Sequence, residues 1–110
     1  MNGRLDQSAR GAAEDTAREA SQAPAIVRIA PALVRLFPDA VSRIEVFAPD
    51  VSKLIDELEE RWPGMRDRIC DSRPAIRRHM NIFVDGRRAS LATEIRPGAD
   101  VFILTAISGG

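Results

Sequence analysis

The sequence ends in Ser108-Gly109-Gly110, and the chemistry such an ending offers is that of its carboxylate. Without side chains, Gly109 and Gly110 can enter a narrow channel, take any backbone angle there and present an unhindered carboxyl group. From Ala106 the five terminal residues extend at most about 17 Å, enough to put Gly110 inside the active site of another protein. The same residues would also suit a frayed end with no role. Other chemically capable residues are few. Cys70 is the single cysteine; nothing near it in sequence would activate its thiol, and it reads as a small packed residue. His79 is the single histidine and has no identifiable Ser or Cys partner, which makes it a structural or surface residue. The carboxylate run Asp56, Glu57, Glu59 and Glu60 has the residue types of a metal or acid–base site. With no histidine or further cluster beside it, it reads as the solvated face of a helix. No catalytic residue and no metal site is expected.

Composition narrows the partners. A chain of 110 residues is one domain, long enough to bury a core without staples. Sixteen basic and sixteen acidic side chains balance, so charge favours neither nucleic acid nor an anionic membrane, and the expected partner is a protein. One cysteine excludes an internal disulfide and fits a reducing compartment. No run of eighteen apolar residues occurs, and residues 1–20 lack an apolar secretory core, so a cytoplasmic location is expected.

The tail must be positioned by what precedes it. Val101-Phe102-Ile103-Leu104 is a short apolar run behind a Pro97-Gly98 turn signal, which predicts a central strand buried on both faces. Residues 1–24 carry little apolar surface and are expected to form a disordered leader; the folded domain spans 25–110. Ala25-Ile26-Val27-Arg28-Ile29-Ala30 and the alternating Ser42-Arg43-Ile44-Glu45-Val46-Phe47 predict an antiparallel hairpin. Pro31 would interrupt the first strand, leaving Leu33, Val34, Leu36 and Phe37 partly exposed. Asp50 stands as the N-cap of a helix whose apolar face is Val51, Leu54, Ile55, Leu58 and Trp62, and Pro63-Gly64 ends it. Residues 65–78 read as an irregular connecting loop, basic through Arg66, Arg68, Arg73, Arg77 and Arg78; they could also face an acidic partner or phosphate. Asn81-Ile82-Phe83-Val84 followed by Asp85-Gly86 predicts a strand and hairpin turn, and Leu91 to Ile95 a short strand or helical turn. The economical packing is α+β: a β-grasp (ubiquitin-like) roll, with a mixed sheet of four to five strands, the last beside the first, on one main helix.

In these stretches and their order the chain resembles the MoaD/ThiS family of ubiquitin-like sulfur carriers. The resemblance covers residues 25–110 and rests on Val27-Arg28-Ile29-Ala30-Pro31-Ala32-Leu33, the helix with its Pro63-Gly64 stop, Asn81-Ile82-Phe83-Val84-Asp85-Gly86, Arg96-Pro97-Gly98-Ala99-Asp100 and the terminal Gly109-Gly110. The 63–81 connection looks more like the MoaD and CysO branches than the shorter ThiS proteins. The resemblance implies that an adenylating enzyme of the ubiquitin-activating type uses ATP and magnesium to activate the Gly110 carboxylate. Sulfur then displaces AMP, and the resulting thiocarboxylate serves an acceptor enzyme, as in molybdopterin, cysteine, thiazole or secondary-metabolite synthesis. It also implies that the chain is no enzyme but a carrier, a substrate or small subunit of partner enzymes, that Gly110 carries the reacting carbon, that Gly109 and Ser108 are read by the channel, and that no cofactor is bound by the chain itself. Relatives often carry proline near Thr105 and alanine at Ser108, so the acceptor is left open. Two alternatives use the same fold: a modifier joined to lysine through Gly110, and a noncatalytic interaction domain working through its exposed sheet face.

Overall fold

The computed structural model describes residues 23–106. Ser108, Gly109 and Gly110 lie outside the described residues, as does all of the expected leader except Ala23 and Pro24. The Ala23 carbonyl accepts a hydrogen bond from the Gly98 N–H at 3.0 Å.

Alternating side chains build the first hairpin. In β1 (Ala25–Ile29) the residues Ala25, Val27 and Ile29 are buried and Ile26 and Arg28 turn to the other side. This is the period of two that puts successive side chains on opposite faces. β2 (Arg43–Val46) pairs with β1 antiparallel, Val27 opposite Ile44. Between them Pro31 ends the strand by opening a turn of helix, α1 (Pro31–Val34), where its missing N–H costs nothing. Leu33 is consequently buried, not partly exposed as its place after a proline predicted; Leu36 does remain exposed.

α2 (Val51–Arg61) forms as its spacing requires. The Asp50 carboxylate accepts from Lys53 N–H at 2.8 Å, and Val51, Leu54, Ile55 and Leu58 are buried. Two further orphan N–H groups at its start are satisfied by the 91–95 segment: Val51 donates to the Thr93 carbonyl and Ser52 to the Leu91 carbonyl, each at 3.0 Å. That segment is a turn, not a full strand. At the other end the Trp62 indole donates to the Asp39 carbonyl at 3.2 Å. Gly64 follows with φ of 100°, and a Cβ there would come within 3.3 Å of the Phe37 ring.

The connection after Gly64 departs from the loop expected over 65–78. It opens with a short helix, α3 (Met65–Ile69), which buries Met65 and Ile69 four residues apart, with Cys70 buried just beyond. Glu59, assigned by its sequence to a solvated face, instead turns back on this junction. Its carboxylate accepts from Gly64 N–H at 3.0 and 3.1 Å and from Arg66 N–H at 2.9 Å. These bonds, that to Gly64 foremost, hold its pKa below the usual carboxylate value.

β3 (Met80–Val84) and β4 (Arg87–Arg88) make the predicted hairpin, with Asp85 and Gly86 both at positive φ, 51° and 82°. β5 (Asp100–Thr105) closes a five-stranded sheet in the order β2-β1-β5-β3-β4, parallel to β1 and antiparallel to β3. Its central place is as expected. Its burial on both faces is not: Val101 and Ile103 are fully buried, whereas Phe102 and Leu104 are 36% and 38% exposed. Helices cover one face of the sheet; the buried cluster joins the inward residues of β1, β3 and β5 to those of α2 and α3.

Glu59→Ala should lower stability by about 1–2 kcal/mol, through loss of charged hydrogen bonds to two backbone donors, measured by urea unfolding at neutral pH. Because the folded-state pKa of Glu59 is depressed, its contribution is present above its unfolded value of about 4.3 and is lost as pH falls through the folded value. Wild type and variant should therefore converge in acid.

Candidate functional site

The uncovered face of the sheet is assembled by register. Ile26 lies between Glu45 and Asp100; one step along, Arg43, Arg28, Phe102, Phe83 and Arg88 form a row across all five strands; Leu104 lies opposite Asn81. The centre of this face is apolar, through Phe83, Phe102 and Leu104. Its flanks carry arginines, of which Arg28 and Arg43 are paired with Asp100 and Glu45. The Arg28 guanidinium lies 5.3 Å from the Phe102 ring centroid and 3.2 Å from an Asp100 carboxylate oxygen, and Arg88 donates to Asn81 Oδ1 at 2.7 Å. Arginines held over or beside aromatic rings, around a half-exposed apolar centre, are the composition of a protein-binding surface.

β5 carries the chain along this face to its last described residue. Thr105 pairs with Met80, and the Ala106 N–H donates to the His79 carbonyl at 2.6 Å. The four residues after Ala106 span at most about 14 Å. The predicted site residues Gly110, Gly109 and Ser108 are among them and lie outside the described residues; Ala106 itself stands at the pole of the sheet that holds His79, next to the apolar face.

The residues weighed for other chemistry fall elsewhere. Cys70 is buried, and desolvation, the largest effect on it, pushes its thiol pKa up, the opposite of what a nucleophile needs. His79 is exposed. Of the carboxylate run, Asp56 pairs with Arg66 at 3.1 Å and Glu59 is taken up by backbone donors. Among the described residues no group of three or more His, Cys, Asp or Glu is placed to hold a metal ion, and no helix is long and apolar enough to cross a membrane. The five arginines of 65–78 divide. Arg66 and Arg73 are paired with Asp56 and Asp71, and the Arg73 pair holds the Asp71 pKa down to about 2; Arg68, Arg77 and Arg78 are in no ion pair among the described residues. The sheet face itself was not singled out by residue. The signal was present in Arg28: a cation in the middle of β1 marks the uncovered side, and a parallel neighbour in register puts Phe102 there too.

A mixed sheet in this order, wrapped on one main helix, is the ubiquitin-like β-grasp fold. No protein-family profile matches the sequence, and no curated protein does. Solved structures do. A chain of the Amycolatopsis orientalis BexX/CysO complex superposes with a TM-score of 0.69 at 26% identity, over 78% of this chain and 99% of that one. Mycobacterium tuberculosis CysO gives 0.66 at 26% identity over 76% and 99%. Haloferax volcanii SAMP1 gives 0.66 at 18% identity over 78% and 98%. The resemblance to the MoaD/ThiS ubiquitin-like proteins therefore holds at the level of the fold.

One-sided coverage of the sheet separates two adjacent residues of β5. Ile103→Ala should cost about 2–5 kcal/mol, and Leu104→Ala about 1 kcal/mol or less, by thermal or urea unfolding of the two variants.

Proposed function

We propose that the chain is a sulfur carrier that is activated at the carboxylate of Gly110. The observation that carries this reading is the junction at Ala106: a central strand of a ubiquitin-like sheet, flanked by an apolar and cationic face, leads directly into a segment ending Ser108-Gly109-Gly110. The structural likeness to CysO, and to a CysO chain found in complex with BexX, supports it.

The steps follow from the weakness of a carboxylate as an electrophile. A partner enzyme of the ubiquitin-activating type binds ATP and magnesium. An oxygen of the Gly110 carboxylate attacks the α-phosphorus, pyrophosphate leaves, and the carbonyl carbon becomes an acyl adenylate. Hydrosulfide then attacks that carbon and AMP departs. A protein persulfide can take its place if a thiol afterwards cleaves the acyl disulfide by reduction. The product is a Gly110 thiocarboxylate, a sulfur nucleophile that an acceptor enzyme uses in building a cofactor, cysteine or another metabolite.

In this scheme the chain supplies recognition and reach, and its partners supply catalysis. Phe83, Phe102 and Leu104 dock on the activating enzyme; Ser108 and Gly109 thread its channel. A side chain at Gly109 would meet the channel wall, while every buried residue of the described core lies between Ala25 and Ile103.

Two measurements test the reading. Incubation with an adenylating enzyme proven competent on another carrier, ATP and sulfide should raise the intact mass of the chain by the difference between a sulfur and an oxygen atom. No shift would reject the carrier. Gly109→Val should abolish ATP–pyrophosphate exchange while changing stability by less than about 0.5 kcal/mol; exchange at the wild-type rate would contradict the channel argument. Binding of the same enzyme that survived removal of Gly109 and Gly110 without loss would favour a pure interaction domain.

A further inference from the structure

The chain is neutral overall, with sixteen charges of each sign, but among the described residues the arginines outside ion pairs are unevenly placed. At the pole where β5 begins, Asp100 sits beside Asp85, whose carboxylate accepts the Asp100 N–H at 2.9 Å, and the Asp50–Glu94 bridge adds two more acids near the start of α2. The pole at which β5 delivers Ala106 gathers several arginines. Arg68, Arg77 and His79, against Asp67, line a cleft of about 620 Å³ there. Arg77, Arg78 and Arg88 border an adjoining groove whose floor includes Ile76, Met80 and Leu91.

The arginines of this pole are positioned without being neutralised. The ion pairs among the described residues are Arg28–Asp100, Arg43–Glu45, Arg66–Asp56 and Arg73–Asp71, and none involves Arg68, Arg77, Arg78 or Arg88. Arg77 donates through Nε to the Asp67 carbonyl at 2.6 Å and Arg88 through Nη2 to Asn81 Oδ1 at 2.7 Å. A neutral acceptor fixes the direction of a guanidinium and leaves its charge for something else. With the two clefts meeting at Arg77, the four arginines form a collar beside the point where the tail starts, continuous with the apolar sheet face.

We infer that this collar docks on an acidic protein surface surrounding the mouth of the channel that receives the tail in the activating enzyme. The inference rests on the carrier reading. A protein occupant follows from the surroundings: the arginines frame apolar side chains, and a chain without net charge has no long-range pull on a polyanion such as nucleic acid. Charges at the rim of an interface act mainly on encounter and orientation and are screened by salt, over about 8 Å at physiological ionic strength. The collar should therefore govern how readily the chain is captured, not how fast the captured tail reacts.

The test uses the full chain and an adenylating enzyme that supports ATP–pyrophosphate exchange with it. Arg68 and Arg78 have exposed side chains without a hydrogen bond or ion pair among the described residues, so R68E/R78E should fold with an unchanged thermal midpoint. At low salt its KM as carrier should rise about tenfold with kcat within about twofold of wild type. Added sodium chloride should raise the wild-type KM and narrow the gap. R96E makes a charge reversal ahead of β5, at the other pole, and should leave KM unchanged. An unaltered KM in R68E/R78E, a salt-independent wild-type KM, or an equal rise in R96E would each overturn the collar alone. No exchange with the wild-type chain, by an enzyme competent on another carrier, would overturn the carrier reading and the collar with it.

Discussion

The constraint on which the rest depends is the burial of one side of β5. Val101 and Ile103 are fully buried in the cluster that holds Val27, Ile82, Leu54, Ile55 and Leu58. Each such side chain contributes about 1.5–3 kcal/mol by leaving water. A shift of one residue in β5 would turn both out and bring Phe102 and Leu104 in, so the core fixes the register against β1 and β3 together. The same register decides which side chains meet on the far face. Phe102 lies between Arg28 and Phe83 because Val101 lies between Val27 and Val84. The open face is thus a by-product of core packing, and mutations that loosen the core should blur it.

Much of this architecture was legible in the chain because it rests on local, periodic signals. Alternation marked β2, the three-and-four spacing behind Asp50 marked α2, and Asp85-Gly86 marked its hairpin. The place of the last strand beside the first came from treating those pieces as one economical packing. What could not be read shares a physical cause. A five-residue helix such as α3 has room for only two apolar anchors, Met65 and Ile69, and the charges among them hid the pattern. The uninterrupted run in β5 carried no sign of which face lacked a covering layer, since a sheet one helix deep and a sheet two helices deep can use the same four apolar residues. Glu59 looked solvated because its partners are backbone N–H groups, which have no signature in a sequence.

The candidate site was legible in a different way. Gly109 and Gly110 were singled out by residue type and lie outside the described residues; the structure describes the surroundings of Ala106. Sequence pointed to 65–78 as basic without telling which arginines were committed. The fold divides them: Arg66 and Arg73 hold the connection together, whereas Arg68, Arg77 and Arg78 remain beside the last described residue of β5. Cys70 is set aside by burial. The surface left to a partner is therefore contiguous, running from Phe83 and Phe102 across Leu104 to the arginines at the Ala106 pole.

One modest element has a bearing on how such a protein survives at high concentration. β4 is two residues long, and both Arg87 and Arg88 are exposed, while the opposite margin of the sheet alternates Arg43 and Glu45 with its apolar residues. Brief, charged margins give neighbouring molecules no template for lateral strand addition. A protein that keeps an apolar sheet face open to solvent is thereby spared growth into fibrils.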